Sequence, residues 1–210
     1  MGCTDNEGIL ELKGKVLDEN TKAPIPRREI FVQALIESND KIIPVNAGQF
    51  ITDSTGCFEY TLKKVKDSGL YNFCLAGDSA YAFSSNKLGM AELKKYGKFL
   101  TFYLNKLTDL TMTINKKSKT PKADILYVSW VSNGINGKIL YPYKIENYGI
   151  PPDIGPAWIG GNVSSVIKTK TYADKKTIIS WKLYRNQGRK EITDTIFCKR
   201  DVTNYVNFEY

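Results

Sequence analysis

The sequence predicts an all-β protein built from two tandem β-sandwich domains, the second Ig-like or related. Apolar and polar residues alternate along many short segments, which is the period of a half-buried strand. Turn-forming residues separate these segments, a pattern typical of sandwiches or barrels and unlike parallel βαβ units. The chain has 210 residues, which suffices for one large β domain or for two of about 100 residues each. We place an N-terminal tether at 1–8, the first domain at 9–106 and the second domain at 107–210.

The first domain opens with a strand from Ile9, where Leu10, Leu12 and Val16 alternate with charged residues. A loop is then predicted at 18–26. Asp, Asn and Thr favour turns, and proline lacks the backbone N–H that a strand needs for pairing. Turn residues also stand at 38–40, 46–48 and 54–56. The intervening segments predict strands at 29–36, 49–53, 57–62, 70–75 and 99–104.

One short helix is predicted near 87–96 in the first domain. Ser85 or Asn86 would cap its first turn, and Gly97 would end it. The residues expected to face inward are Leu88, Leu93 and Tyr96.

The second domain shows the same alternation, and Trp130 and Trp181 fall at core positions of alternating segments. The longest irregular stretch lies at 146–162. Irregular segments of this length inside compact domains usually serve a function or are mobile. Strands are predicted at 110–114, 125–131, 139–144, 163–172, 177–184, 191–198 and 202–210.

Positive charge is concentrated in the second half of the chain. The net charge is +8; residues 107–210 carry 16 Lys and Arg against 9 Asp and Glu, which is +7 of that total. Such a surface suits an anionic partner or is simply well solvated. Arginines and aromatics do not cluster as nucleic-acid sites require, so we expect no nucleic-acid partner. No apolar run is long enough to predict a helix that spans a membrane. No signal peptide is visible, and a mature or trimmed chain would look the same.

Residues 9 to about 83 resemble the carboxypeptidase regulatory-like domains, small sandwiches of the prealbumin (transthyretin-like) type. The resemblance rests on a Gly-x-Val-x-Asp strand, a proline loop, a turn glycine before Phe-x-Tyr and a Tyr-led strand, with Arg27 and Arg28 departing from the pattern. It implies a prealbumin-like first domain with a non-catalytic role as spacer, binding module or stabiliser. The residues that carry it are Gly14, Val16, Asp18, Thr21, Pro24, Thr52, Asp53, Gly56, Phe58, Tyr60, Tyr71, Phe73, Gly77 and Tyr81.

The composition argues against catalysis and against a cofactor. The chain has no histidine, which removes Ser-His-Asp and Cys-His nucleophiles and the commonest zinc ligand. Cys57, Cys74 and Cys198 stand singly, without the Cys-x-x-Cys spacing of zinc or redox sites. We therefore predict no catalytic residue, no metal site and no cofactor. Paired carboxylates could still hydrolyse a glycoside, which is the enzymatic alternative.

Strand alternation places the thiols of Cys57 and Cys74 on the outer face of their strands. They could form a disulfide only as neighbours in one sheet, with Cα atoms within about 7 Å. Two free, modestly exposed thiols are the favoured expectation.

The aromatic residues around 141–158 are the candidate ligand site. Trp158 lies in a Gly- and Pro-rich stretch with Tyr148 nearby, and Tyr141 and Tyr143 are possible companions. An aromatic held on such a loop can stack on a sugar or anchor a protein. The alternative is that Trp158 covers the end of a sandwich core.

Cys3 is the candidate site of lipidation. Gly2-Cys3 resembles the end of a bacterial lipobox, and the acidic tether at 4–7 resembles that of surface lipoproteins of the Bacteroidetes. Several acyl chains on one cysteine would hold the protein on a membrane. A myristoylated Gly2 fits less well because Asn6 stands where Ser or Thr is expected, and Cys3 could also be incidental.

Three short motifs resemble the O-glycosylation acceptor of exported Bacteroidetes proteins, an Asp followed by Ser or Thr and then Ala, Ile or Thr. The acceptors would be Ser54, Ser79 and Thr195.

These observations lead to one functional hypothesis with two alternatives. The protein is expected to be a non-catalytic lipoprotein of the bacterial cell envelope that binds a glycan or protein at the cell surface. It would touch the membrane through its lipid anchor only. The alternatives are a purely structural spacer and, less favoured, a hydrolase with paired carboxylates.

Overall fold

The computed structural model describes residues 8–115, 124–133, 139–140, 157–160, 164–185 and 188–210. The chain divides into two compact units, Met1–Asn105 and Lys106–Tyr210. Within these ranges strands dominate both units, and one short helix lies in the first. The predicted all-β pair of sandwiches is therefore confirmed.

The described residues of the first unit, 8–105, form seven strands and one helix. A three-stranded sheet has the order β4-β1-β7, with β1 antiparallel to β4 and parallel to β7. A four-stranded antiparallel sheet has the order β3-β2-β5-β6. The elements are β1 (Ile9–Asp18), β2 (Glu29–Ser38), β3 (Lys41–Ile51), β4 (Cys57–Lys63), β5 (Ser68–Leu75), β6 (Ser84–Gly89), α1 (Met90–Tyr96) and β7 (Leu100–Leu104).

The core of the first unit lies between these two sheets. Leu12 and Phe102 from the smaller sheet are buried together with Val32 and Phe73 from the larger one. The rings of Phe73 and Phe102 meet with centroids 5.3 Å apart. From Ile9 to Val16, alternate residues of β1 thus face the core and the others lie on the outer face, while Leu17 and Asp18 at its end are buried as well.

The helix begins later than the sequence predicts. Residues near Ser85 and Asn86 form β6, because pairing with β5 takes up their backbone groups. The helix begins after Gly89, whose N–H donates to the Glu92 carboxylate at 2.7 Å. Gly97 ends it as predicted, and Leu93 is fully buried. Tyr96 was expected to face inward but is 50% exposed.

The predicted turn at 46–48 is wrong, because this segment continues β3. The ladder absorbs it through an irregularity opposite Val32 and Gln33. Gly48 has φ +121°, a conformation that glycine adopts without strain. The Tyr60 hydroxyl donates to the Ala47 carbonyl at 2.6 Å and ties the bulge to β4.

The second unit also folds as two sheets. A three-stranded sheet has the order β12-β8-β15, with β8 antiparallel to β12 and parallel to β15. The other sheet has the order β10-β9-β13-β14, and β11 also pairs with β9. The strands are β8 (Leu107–Asn115), β9 (Asp124–Asn133), β10 (Ile139–Leu140), β11 (Ala157–Gly160), β12 (Ser164–Tyr172), β13 (Lys175–Arg185), β14 (Gly188–Cys198) and β15 (Thr203–Glu209).

Trp130 and Trp181 lie in the core of the second unit, as predicted. Their neighbours in the buried cluster include Met112 and Phe208 from the facing sheet. Within the described residues of this unit, alternate positions of β9 and β13 face the core and the rest face outward.

The two units share one strand order. When β10 and β11 are counted together as the third position of the second unit, each unit has one sheet in the order four-one-seven and another in the order three-two-five-six. The seventh strand runs parallel to the first in both units. The third position is one continuous strand, β3, in the first unit, but in the second it is occupied by β10 and β11.

Candidate functional site

A groove of about 680 Å³ lies on the outer face of the three-stranded sheet of the first unit. Its floor is formed by outward-facing residues of β1, β4 and β7. Lys15 lies between Cys57 and Thr101 in the strand register, and Lys13 lies opposite Glu59. These side chains point outward because their neighbours Leu12 and Val16 on β1 are fully buried.

Two exposed apolar side chains border this groove on opposite sides. Ile51, at the end of β3, lies on the side of β4, and Phe99 lies on the side of β7. Phe99 is 83% exposed. Its turn is held by two backbone hydrogen bonds of 2.8 Å, from Gly97 N–H to Leu93 O and from Phe99 N–H to Tyr96 O.

The acids of the groove already have partners. The Lys13 ammonium contacts the Glu59 carboxylate at 2.7 Å. The Thr55 hydroxyl, and with it the N–H groups of Cys57 and Thr55, holds the pKa of Asp53 below its ordinary value. Lys15 and Lys98 have no carboxylate partner within the described part of the chain. The three lysines that line the groove therefore outnumber its two carboxylates, and its net charge is positive.

A second polar–aromatic surface lies on the outer face of the β9-β13-β14 sheet in the second unit. The rings of Tyr127 and Tyr184 meet edge to face, with centroids 5.5 Å apart. The Arg189 guanidinium lies 6.0 Å from the centroid of Tyr184. Glu191 accepts a hydrogen bond from Arg189 and lies 3.6 Å from the Lys182 ammonium. We call these five residues the outer-face cluster.

Sequence reasoning missed the outer-face cluster, although alternation contains the signal. Leu126 and Trp181 face the core, so Tyr127 and Lys182, one position along, must face outward. The register then places Lys182 between Tyr127 and Glu191.

Trp158 is the one predicted ligand residue that lies in the described part of the chain. Trp158 was expected on a loop, but its backbone lies in β11, opposite Leu126, and Ala157 lies opposite Tyr127. Pairing with β9 converts this part of the predicted loop into a strand. Tyr141, Tyr143 and Tyr148 lie outside the described residues, as does Cys3.

The three predicted glycosylation acceptors, Ser54, Ser79 and Thr195, are all exposed. Ser54 and Ser79 lie in turns where the preceding Asp accepts a backbone N–H, from Thr55 at 2.7 Å and from Ala80 at 2.8 Å. Thr195 lies on β14.

The cysteines of the described region are free. Cys57 and Cys74 belong to different sheets of the first unit, so the condition for a disulfide between them is not met. Cys57 is exposed as predicted, whereas Cys74 is half-buried and Cys198 is buried. Burial raises the pKa of the Cys74 and Cys198 thiols, and hydrogen bonds with Ser85 and Thr177 oppose that rise.

The carboxylates with shifted pKa values in the described region all favour the ionised form. Arg189 lowers the pKa of Glu191. At Asp78, burial raises the pKa but is outweighed by the N–H groups of Tyr81 and Ala80 and by Arg28. A general acid needs the opposite shift. Within the described ranges no group of three Cys, Asp or Glu residues is arranged to hold a metal ion, and no helix could span a membrane.

Comparisons with known proteins yield only weak likenesses. No protein-family model and no curated protein matches the chain. The shaft pilin of Lactobacillus rhamnosus GG aligns over 96% of this chain and 97% of its own, at 8% identity and a TM-score of 0.32. A minor pilin of Streptococcus agalactiae aligns over 95% and 94%, at 13% identity and 0.37. A streptococcal ancillary pilin aligns over 98% of this chain and 63% of its own, at 13% identity and 0.39. At such identities and scores these likenesses carry no argument about function.

Proposed function

We propose that this protein is a non-catalytic lipoprotein of the bacterial cell envelope, anchored through Cys3, which binds a glycan on the outer face of its second unit. On this proposal the first unit is a carboxypeptidase regulatory-like sandwich of the prealbumin type. Cell-surface glycans are the favoured ligand class, and a protein ligand is the alternative that the experiment below distinguishes.

The outer-face cluster is the observation that supports this proposal. Tyr127 and Tyr184 offer ring faces and edges on which a sugar ring can pack. Lys182, Arg189 and Glu191 surround them with hydrogen-bond donors and acceptors that match hydroxyl and carboxylate groups. A few polar groups around an aromatic surface are what orient a small ligand.

Trp158 is the remaining candidate ligand residue that the structure describes. It lies in β11, which pairs with β9 beside Tyr127. Its partner in the register is the core residue Leu126, and directly opposed residues share a face of the sheet, so the register favours the core for Trp158 over the outer face. The alternative, that Trp158 contributes to the core, makes its substitution informative about folding as well.

Binding should be tested with a glycan array followed by calorimetry on the full chain. Tyr184→Ala should weaken the strongest hit about tenfold or more, as expected when a central aromatic contact is removed. The same loss in Trp158→Ala, without loss of folding, would show that Trp158 also contacts the glycan. Tyr205→Ala is the matched control, because Tyr205 is 70% exposed but lies on β15 in the other sheet. Thermal unfolding of each variant separates lost binding from lost folding.

The outcomes separate the functional classes. A glycan that binds Tyr184→Ala as well as the parent contradicts the proposed face. A protein partner that needs Tyr184, with no glycan bound, favours the protein ligand. Absence of both leaves a structural spacer.

We also propose that Ser54, Ser79 and Thr195 carry O-linked glycans in the native host. Their exposure is compatible with access by a transferase. Peptide mass spectrometry should find hexose-containing adducts that disappear in Ser54→Ala, Ser79→Ala and Thr195→Ala. Unmodified peptides at all three positions would contradict this.

A further inference from the structure

An exposed aromatic tip lies between α1 and β7 of the first unit. Phe99 is 83% exposed and Tyr96, at the end of α1, is 50% exposed. The backbone hydrogen bond from Phe99 N–H to Tyr96 O holds both residues in one tight turn. Covering so much apolar surface is favourable, so such a tip suits a partner with an apolar layer.

Lysines surround this tip. Lys94, Lys95 and Lys98 are exposed, and Lys95 places its ammonium 4.8 Å from the centroid of the Tyr96 ring. None of the three contacts a carboxylate within the described residues. Lys98 also borders the groove together with Lys15, while the acidic residue Asp53 lies on the opposite side, next to β4. The side that carries Phe99 is therefore cationic and aromatic.

We propose that this turn, residues 94–99, docks the first unit onto a lipid bilayer rich in anionic headgroups. Phe99 would enter the boundary between headgroups and acyl chains, where aromatic side chains are favoured. The lysines would meet the phosphates of anionic lipids, each adding to the attraction. A bilayer surface offers anionic charge directly above an apolar layer, which matches the arrangement of lysines around a projecting ring.

The choice of a bilayer over a soluble anionic polymer rests on the envelope anchor proposed above. The Lys13 N–H donates to the Gly97 carbonyl at 2.7 Å, so the turn lies beside the fifth residue of β1. The four-residue rise from Ile9 to Lys13 covers about 13 Å. The six-residue step from Cys3 to Ile9 can span at most about 20 Å. A lipid on Cys3 and the tip could therefore reach the same bilayer.

Vesicle binding by the full chain with Cys3→Ser tests the turn without the anchor. Vesicles of phosphatidylglycerol and phosphatidylcholine in equal parts should pellet the protein, whereas pure phosphatidylcholine vesicles should not. Added salt should weaken the binding, because it screens the lysines. Failure of the anchor itself would be detected separately, by the mass of Cys3 in the native protein.

Substitutions in the turn should act in proportion to their contacts with the bilayer. Phe99→Ser should lower the partition coefficient about tenfold. Lys95→Ala and Lys98→Ala should each lower it about fivefold. Phe83→Ser is the matched control: Phe83 is 60% exposed, but its neighbours Ala82 and Ser84 carry no charge. This control should bind as the parent does, and circular dichroism should show that every variant remains folded.

Three results would overturn the proposal. The first is no binding to phosphatidylglycerol vesicles, and the second is an equal loss in Phe83→Ser and Phe99→Ser. The third is salt-sensitive binding to dextran sulfate that matches vesicle binding and does not depend on Phe99, which would indicate a soluble anionic polymer.

Discussion

The indole of Trp181 lies parallel to the ring of Phe208, with 4.3 Å between centroids and 6° between planes. Trp181 belongs to β13 and Phe208 to β15, so this contact joins the two sheets of the second unit. Both side chains are buried. The sandwich is thus held at this point by a stacked aromatic pair.

Truncating this pair should destabilise the second unit strongly. Trp181→Ala should lower the free energy of unfolding by about 3–5 kcal/mol, because it leaves a large cavity against Phe208. Denaturant unfolding followed by circular dichroism measures the change. Tyr205→Ala, at an exposed position on the same strand as Phe208, should change it by less than about 0.5 kcal/mol. Equal effects of the two substitutions would contradict the assigned core.

Gly14 should tolerate no side chain, because two strands approach it closely. A Cβ at Gly14 would lie 2.2 Å from the Leu100 carbonyl oxygen and 2.7 Å from Cζ of Phe58. Gly14→Ala should therefore destabilise the protein by about 1–3 kcal/mol, the usual cost of overpacking. Gly69→Ala is the control, since a Cβ there meets nothing within 4 Å. If Gly14→Ala unfolds at the same denaturant concentration as Gly69→Ala, the pairing of β1 with β7 is wrong.

The three thiols of the described region should react in order of their exposure. Cys57 should react with a thiol reagent first and Cys74 more slowly, because Cys74 is half-buried and burial raises its pKa. Cys198 is buried and should react only when the second unit unfolds. The measurement is time-resolved labelling of the Cys3→Ser chain, with peptide mapping. Labelling of Cys198 at the rate of Cys57 in the native protein would not be compatible with this structure.

Asp53 should contribute to the acid dependence of stability. The Thr55 hydroxyl and the N–H groups of Cys57 and Thr55 lower its pKa in the folded state below its ordinary value. Its contribution is therefore present above the unfolded pKa and is lost as the pH falls through the folded value. Relative to Asp53→Asn, the parent should hold an advantage at neutral pH that shrinks below about pH 4.

The measurement for Asp53 is denaturant unfolding of parent and variant across that pH range. An advantage that is constant with pH, or that grows as the pH falls, would contradict the assigned hydrogen bonds.

Alternation in the sequence was sufficient to predict most strands and both core tryptophans, because burial of every second residue follows directly from strand geometry. It failed where pairing decides the outcome. The sequence predicts a turn at Gly48, but pairing with β2 places this residue in β3, next to a bulge in the ladder. The sequence predicts that Asn86 caps a helix, but its pairing with Phe73 places it in β6.

The candidate sites show the same limit. The outward position of Tyr184 follows from its spacing to Trp181, so half of the tyrosine pair could be predicted locally. The groove could not, because it needs Lys15 of β1 to lie between Cys57 and Thr101, which are far away in the sequence. Trp158 was expected on a loop because Gly and Pro surround it, and only its pairing with β9 shows the strand.

Whether this protein is an envelope lipoprotein can be decided from the mass of the Cys3 peptide, taken from protein expressed from its own gene in its native host. We predict an amino-terminal cysteine that carries several acyl chains, with the protein recovered in the membrane fraction and Cys3→Ala recovered outside it. An unmodified Cys3 in the mature protein, or a Cys3→Ala protein that fractionates with the membrane as the parent does, would contradict an envelope lipoprotein.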